Sequence, residues 1–257
     1  MSAEAIIKQQ ARSILKENFV KAIIALLIVI LPFVIIDGTT TAISYSVMSL
    51  VPDTTLANIL IYSIGYPVEI IMGVLFSPVI NGYVRAFYRA AYSNTIELKD
   101  VFYHFSRGNY GIALRLNLSI AVRMTLPILI FYAPLIIYEI VSVNITAGDF
   151  YGSIWYHNFY FILSVLSTIA TVLYSVRYFT VYTVSADNPQ FSTKQVFAYN
   201  KYIMQYRTAN AAKLIFSFTP WLLLCLLVLP MLYVIPYMTQ SLCVSAKWMT
   251  KASLEVN

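Results

Sequence analysis

Two charged residues lie deep inside apolar runs of this chain, Glu69 and Arg123. An ionisable side chain in hydrocarbon costs at least about 2.5–3.5 kcal/mol, so such residues pair or line a wet cavity. Glu69 is fourteen residues from Tyr83, at the basic end of its run. Arg123 is eleven residues from Ile112, at the basic end of the next run. At about 1.5 Å per residue, the two depths differ by ~4–5 Å, within side-chain reach. Tyr62, Tyr66, Glu69, Gly73 and Ser77 share one helical face, and Ser119 lies one turn before Arg123. Pro127 removes the backbone hydrogen bond that the Arg123 carbonyl would otherwise accept. The expected site is a polar pocket of Glu69, Arg123, Ser119 and Tyr66 between two neighbouring helices. It can be an ion pair that ties the helices together, or a place for a proton, a substrate or a lipid headgroup.

Little else in the chain has the spacing of chemistry. His104 and His157 fall on opposite sides of the expected topology, so they cannot share a metal. HExxH, a P-loop, GxGxxG and GxSxG are all absent. Cys225 and Cys243 sit in apolar segments with no CxxC spacing, which fits small embedded hydrophobes. No cofactor or metal is expected. No set of nucleophile, base and stabiliser is visible, so the expectation is a non-enzyme.

The elements that must carry these residues are membrane spans. The chain of 257 residues is 60% hydrophobic and only 11% charged, against about 25% charge in a soluble domain. Apolar runs long enough for spans lie near 22–36, 59–83, 112–138, 158–177, 213–229 and 232–247. The last two are short and interrupted by Pro230 and Pro236, so two crossings or a re-entrant hairpin both fit. Pro32, Pro67, Pro78, Pro127, Pro134 and Pro220 fall inside runs and are expected to kink helices for packing. Apart from Arg123, every lysine and arginine precedes the first run, follows the last, sits between the second and third or the fourth and fifth, or lies at the basic end of a run, as Arg115, Arg177, Lys213 and Lys247 do. The alternate loops 37–58 and 139–157 hold only Asp37, Asp53, Glu139 and Asp149 as charged residues. This one-sided pattern places the basic segments and both termini in the cytoplasm. The first apolar run follows twenty-one residues that look like an amphipathic helix, and no convincing small-x-small cleavage site comes after it, so no signal peptide is expected.

Three amphipathic stretches lie on the basic side. Leu98, Val101, Phe102 and Phe105 recur with helical spacing, as do Val196, Tyr199, Ile203 and Tyr206; Ile7, Ala11, Ile14 and Leu15 form a third stripe. Ser192 followed by Gln195 reads as a capping box. These helices are expected in the cytoplasmic headgroup plane, with packing on protein as the alternative. The net charge of +6 flanks apolar runs instead of forming a block. That favours anionic lipid headgroups over nucleic acid as partners. Arg85, Arg89, Lys99, Arg107, Lys194, Lys201 and Arg207 are the expected headgroup contacts. The fold expected is an all-α integral membrane domain over 1–257, six spans with three surface helices. Its repeat-like units are about 1–92, 93–188 and 189–257. Short echoes support the repeat, such as Asn18-Phe19 with Ala22 and Asn109-Tyr110 with Ala113.

Several motifs carry a resemblance. They are Gly82-Tyr83 with Arg89, Asp100-Val101-Phe102-Tyr103-His104-Phe105, Ala186-Asp187-Asn188-Pro189, Tyr202-Ile203-Met204, Phe216-Ser217-Phe218-Thr219-Pro220-Trp221 and Pro236-Tyr237. Together they resemble the bacterial multi-pass family filed as domain of unknown function 975, common in Gram-positive bacteria. The resemblance implies a bacterial cell-membrane location and a six-helix layout, and it implies no activity. The expected role is a non-enzymatic accessory, regulatory or lipid- or partner-binding component. The alternative is a small transporter or channel built around Glu69 and Arg123.

Overall fold

The computed structural model describes residues 2–51, 54–106, 108–145, 154–225 and 227–254, which form helices and turns with no strand among them. Helix α1 (Ala3–Leu50) runs for 48 residues, about 72 Å at the α-helical rise. It therefore continues well beyond the expected span 22–36. Thr39, Thr40, Ser44 and Ser46 donate their hydroxyls to carbonyls one turn back, at 2.7–2.9 Å. That local bonding lets the polar stretch after Asp37 stay helical. The helix bends at Asn18, whose φ/ψ of −120°/20° leaves the α region.

The expected span 59–83 is divided. Helix α2 (Thr54–Leu60), a π turn (Ile61–Gly65), α3 (Tyr66–Phe76) and α4 (Pro78–Ser93) follow one another. Pro67 and Pro78 each open a helix, where a missing N–H does no harm. A 3-10 segment (Leu98–Phe105) leads to α5 (Tyr110–Ile145) and α6 (Ile154–Ser175). A short 3-10 turn (Val176–Tyr178), α7 (Val181–Asp187) and α8 (Thr193–Met204) come next. The remainder is α9 (Thr208–Phe216), α10 (Thr219–Leu224) and α11 (Val228–Leu254). The expected run 213–229 is thus not one helix. Pro220 lies in the first turn of α10 and cannot extend α9. Among the described residues, four helical stretches are long and apolar enough to cross a membrane: Ala3–Leu50, Pro67–Ser93, Tyr110–Ile140 and His157–Asp187.

Helix α4 is the hub of the larger core. Phe87, Tyr88, Ala86, Ala90 and Ala91 are almost wholly buried, enclosed by α1, α7, α11 and the 3-10 segment. Gly82 makes the last contact possible, because a Cβ there would lie 1.9 Å from the Val101 carbonyl oxygen. Helix α11 runs antiparallel to α1, with Tyr233 beside Phe19 and the Trp248 indole donating to Gln10 at 3.3 Å. The same helix grips α4 through Lys247, which donates to the Ala91 carbonyl and lies over the Tyr92 ring. A second core joins Leu116 of α5 to Val181 and Val184 of α7, Val196 and Ile203 of α8, and Ala211 of α9.

The amphipathic stripes meet protein. Ile7, Ala11, Ile14 and Leu15 are buried in the first core, and Val196 and Ile203 in the second, while Tyr206 stays exposed. The stretch 98–105 departs further from expectation. It winds as a 3-10 helix, in which residues three apart eclipse. Val101 and His104 are buried and Leu98 packs beside them, whereas Phe102 and Phe105 are exposed. Away from the two cores, α1, α5 and α6 present Leu31, Val34, Val122, Leu126, Phe161 and Leu166 to the surroundings. Continuous apolar surface of this kind suits lipid, not water.

Candidate functional site

Arg123 takes its position from α5. Its Nη1 donates to Ser119 Oγ at 2.9 Å and to the Ser119 carbonyl at 3.2 Å, one turn back. Its guanidinium lies 3.9 Å over the Phe197 ring of α8. Arg177, where the apolar run of α6 ends, lies 5.0 Å over the Tyr174 ring. Asn200 of α8 fixes the neighbouring turn. Its Nδ2 donates to the Arg177 carbonyl at 2.8 Å, and its Oδ1 accepts from the Thr180 N–H at 3.2 Å and hydroxyl at 2.8 Å. Between α5, α6 and α8 a cleft of about 400 Å³ opens, lined by Arg123, Arg177 and Lys201 together with Tyr178, Gln205 and Thr208. No carboxylate lines it, and none of these cations makes an ion pair among the described residues. The arrangement can bind an anion.

The expected partnership of Glu69 with Arg123 does not form. Glu69 lines a different cleft, with Asp37, Thr40, Thr41 and Ser44 of α1, and makes no ion pair among the described residues. Their depths were matched along two helices, but depth leaves the direction around each helix open. Packing of α8 on α5 draws Arg123 towards Phe197, and packing of α3 near α1 turns Glu69 to Asp37. Ser119 joins Arg123 as expected; the Tyr66 side chain lies outside the described residues. Arg123 thereby shares a cleft with Arg177 and Lys201, both from the basic segments, so it no longer stands apart from the one-sided charge pattern.

The other expected headgroup contacts divide into three groups. Arg85 is buried. It donates to the Ala186 carbonyl at 3.0 Å, lies 3.6 Å over the Tyr103 ring, and stands 3.5 Å from Asp100. Arg89 donates to the same carboxylate at 2.8 Å. Lys99 pairs with Glu97 at 2.7 Å, and Arg207 donates to the Met249 carbonyl at 2.8 Å. Lys194 and Lys201 are exposed without an ion pair among the described residues, and Arg107 lies outside them. Beside Arg85, His104 is buried with Nδ1 lacking a hydrogen-bond partner. Burial first, and the Arg85 charge second, push its pKa down to about 4, so it is neutral.

Arg177, Asn200 and Phe197 were not singled out from sequence. Asn200 left a signal, being a polar residue on the buried stripe between Val196 and Ile203. Asn18 left the same one, after Ile14 on the stripe of α1; its side chain donates to the Asn94 carbonyl at 2.8 Å and accepts from the Ile96 N–H at 3.1 Å. No curated protein and no solved structure matches the chain. Residues 1–250 match the family described as "Protein of unknown function (DUF975)", and the chain belongs to that family.

Proposed function

We propose that this protein is a non-enzymatic, multi-pass component of a bacterial cell membrane that holds anionic lipid headgroups on its cytoplasmic face. In this reading the chain crosses six times, with 213–247 supplying the last two crossings, and both termini are cytoplasmic. The observation that carries it is the set of cations left without ion pairs on the basic side. Arg85 and Arg89 share the carboxylate of Asp100, but Arg12, Lys16, Arg123, Arg177, Lys194 and Lys201 meet no carboxylate among the described residues. Each such cation near an anionic leaflet contributes about 1 kcal/mol, screened by salt. A groove between α1 and α11 supports the reading, because it joins Arg12 and Lys16 to Leu15, Phe19 and Tyr233. Cations beside apolar and aromatic side chains match the amphiphilic edge of a phospholipid.

The test is the lipid retained by protein purified from native membrane in mild detergent. The wild type is expected to retain anionic lipid enriched over the bulk membrane. Arg12→Gln with Lys16→Gln should lose part of that enrichment. Retained lipid that mirrors the bulk composition in both proteins would contradict the reading.

A further inference from the structure

We infer that the cleft between α5, α6 and α8 is a specific site for a phosphate monoester borne on a lipid, with Arg123, Arg177 and Lys201 as its ligands. The inference rests on the reading of the protein as a membrane component and goes beyond diffuse headgroup attraction.

Three cations without a carboxylate in one cleft repel each other when the cleft holds no anion. A multiply charged anion relieves that repulsion. A phosphate monoester carries about −1.5 to −2 charges near pH 7 and offers three acceptor oxygens. It is therefore a closer match than a singly charged phosphodiester. Each guanidinium presents five N–H donors in a planar fork that suits phosphate oxygens. Arg123 is already oriented, held between Ser119 and the Phe197 ring, and Arg177 lies over Tyr174. Asn200 ties the strip bearing Arg177 to α8, which bears Lys201. The cleft volume of about 400 Å³ falls in the range of about 300–1,000 Å³ typical of small-molecule sites.

A lipid is favoured over free phosphate by the exposed apolar residues on α5 and α6. On α5, Val122 and Leu126 flank Arg123 and are 67% and 65% exposed; on α6, Leu173 is exposed beside Tyr174. Exposed apolar side chains on the helix that carries Arg123 and on the helix that leads to Arg177 offer acyl chains a surface.

Full-length protein in detergent is titrated with dioctanoyl phosphatidic acid, dioctanoyl phosphatidylcholine and inorganic phosphate, following the thermal midpoint and native mass spectra. The phosphatidic acid is expected to bind at least about tenfold more tightly than either other probe. Arg123→Gln and Lys201→Gln should each weaken it about tenfold. Arg123→Lys, which keeps the charge and loses the fork, should fall between. Lys213→Gln, at an exposed cation of α9 outside the cleft, should bind as the wild type. Midpoints without ligand verify that each variant is folded; if Arg123→Gln is not, Lys201→Gln, at an exposed side chain, carries the comparison. Equal losses from Lys213→Gln and Lys201→Gln would overturn the site in favour of diffuse attraction. Inorganic phosphate binding as tightly as the lipid would overturn the lipid assignment. Unchanged binding by the cleft variants, with anionic lipid still retained through Arg12 and Lys16, would sink this inference and leave the broader reading standing.

Discussion

Asp100 pairs with two arginines from a buried position, and that makes it the most consequential single carboxylate of the basic-side core. Its removal leaves Arg85 enclosed with an uncompensated charge. Such losses cost about 3–5 kcal/mol. Asp100→Asn should therefore lower the thermal midpoint of the purified protein sharply, and adding Arg85→Met should recover part of the loss; a further drop in the double variant would contradict the pairing. Gly82 is equally constrained for a different reason. Gly82→Ala drives a methyl group into the Val101 carbonyl. The expected cost is about 3 kcal/mol from overpacking, read as reduced stability without any change in charge. His104 supplies a pH dependence. Its pKa is pushed down to about 4 in the fold by burial and by the Arg85 charge, while in the unfolded chain it lies near 6.5. The unfolded state therefore binds more protons between those values. The contribution to stability is whole above about pH 6.5 and is lost as pH falls towards 4, about 2 kcal/mol of it by pH 5. Thermal midpoints of wild type and His104→Gln at pH 7.5 and 5.0 check this: the variant should lose less on acidification.

At the scale of elements, the basic-side helices are held by buried asparagines. Asn18 pins the turn after α4 to α1, and Asn200 pins the turn after α6 to α8. Asn200→Ala leaves the Thr180 N–H and the Arg177 carbonyl without their partner, at about 1–3 kcal/mol for each group kept from water. Amide exchange in α8 should accelerate by about 100-fold, with α4 little affected; uniform acceleration of both would mean that α8 is not separately held. Some of these elements were legible in the sequence. The capping box of Ser192 and Gln195 forms as read, with the Ser192 N–H donating to Gln195 Oε1 at 2.8 Å. The stripe of α1 is apolar and buried, as its period requires. The stretch 98–105 was assigned a period near 3.6 and adopts 3.0, because its register is set by the approach of Val101 to Gly82, sixteen or more residues away. Nothing local to 98–105 encodes that contact.

For the whole molecule, four apolar stretches long enough to cross a membrane were legible, since hydrophobic length is a property of the chain itself. The direction of Glu69 and Arg123 was not, because it depends on which helix packs on which face. The corrected geometry makes the charge pattern more consistent, with Arg123 beside Arg177 and Lys201. It also fits a molecule whose described core lies towards its basic side and whose exposed apolar helices extend from it. The central claim is the proposed orientation, with the basic segments in the cytoplasm. The most direct measurement labels single cysteines, introduced with Cys225 and Cys243 replaced by serine, using a membrane-impermeant thiol reagent on intact cells. Asp149→Cys should label in intact cells, and Lys99→Cys and Lys201→Cys only after permeabilisation. Labelling of Lys99→Cys or Lys201→Cys in intact cells, with Asp149→Cys protected, would contradict the account.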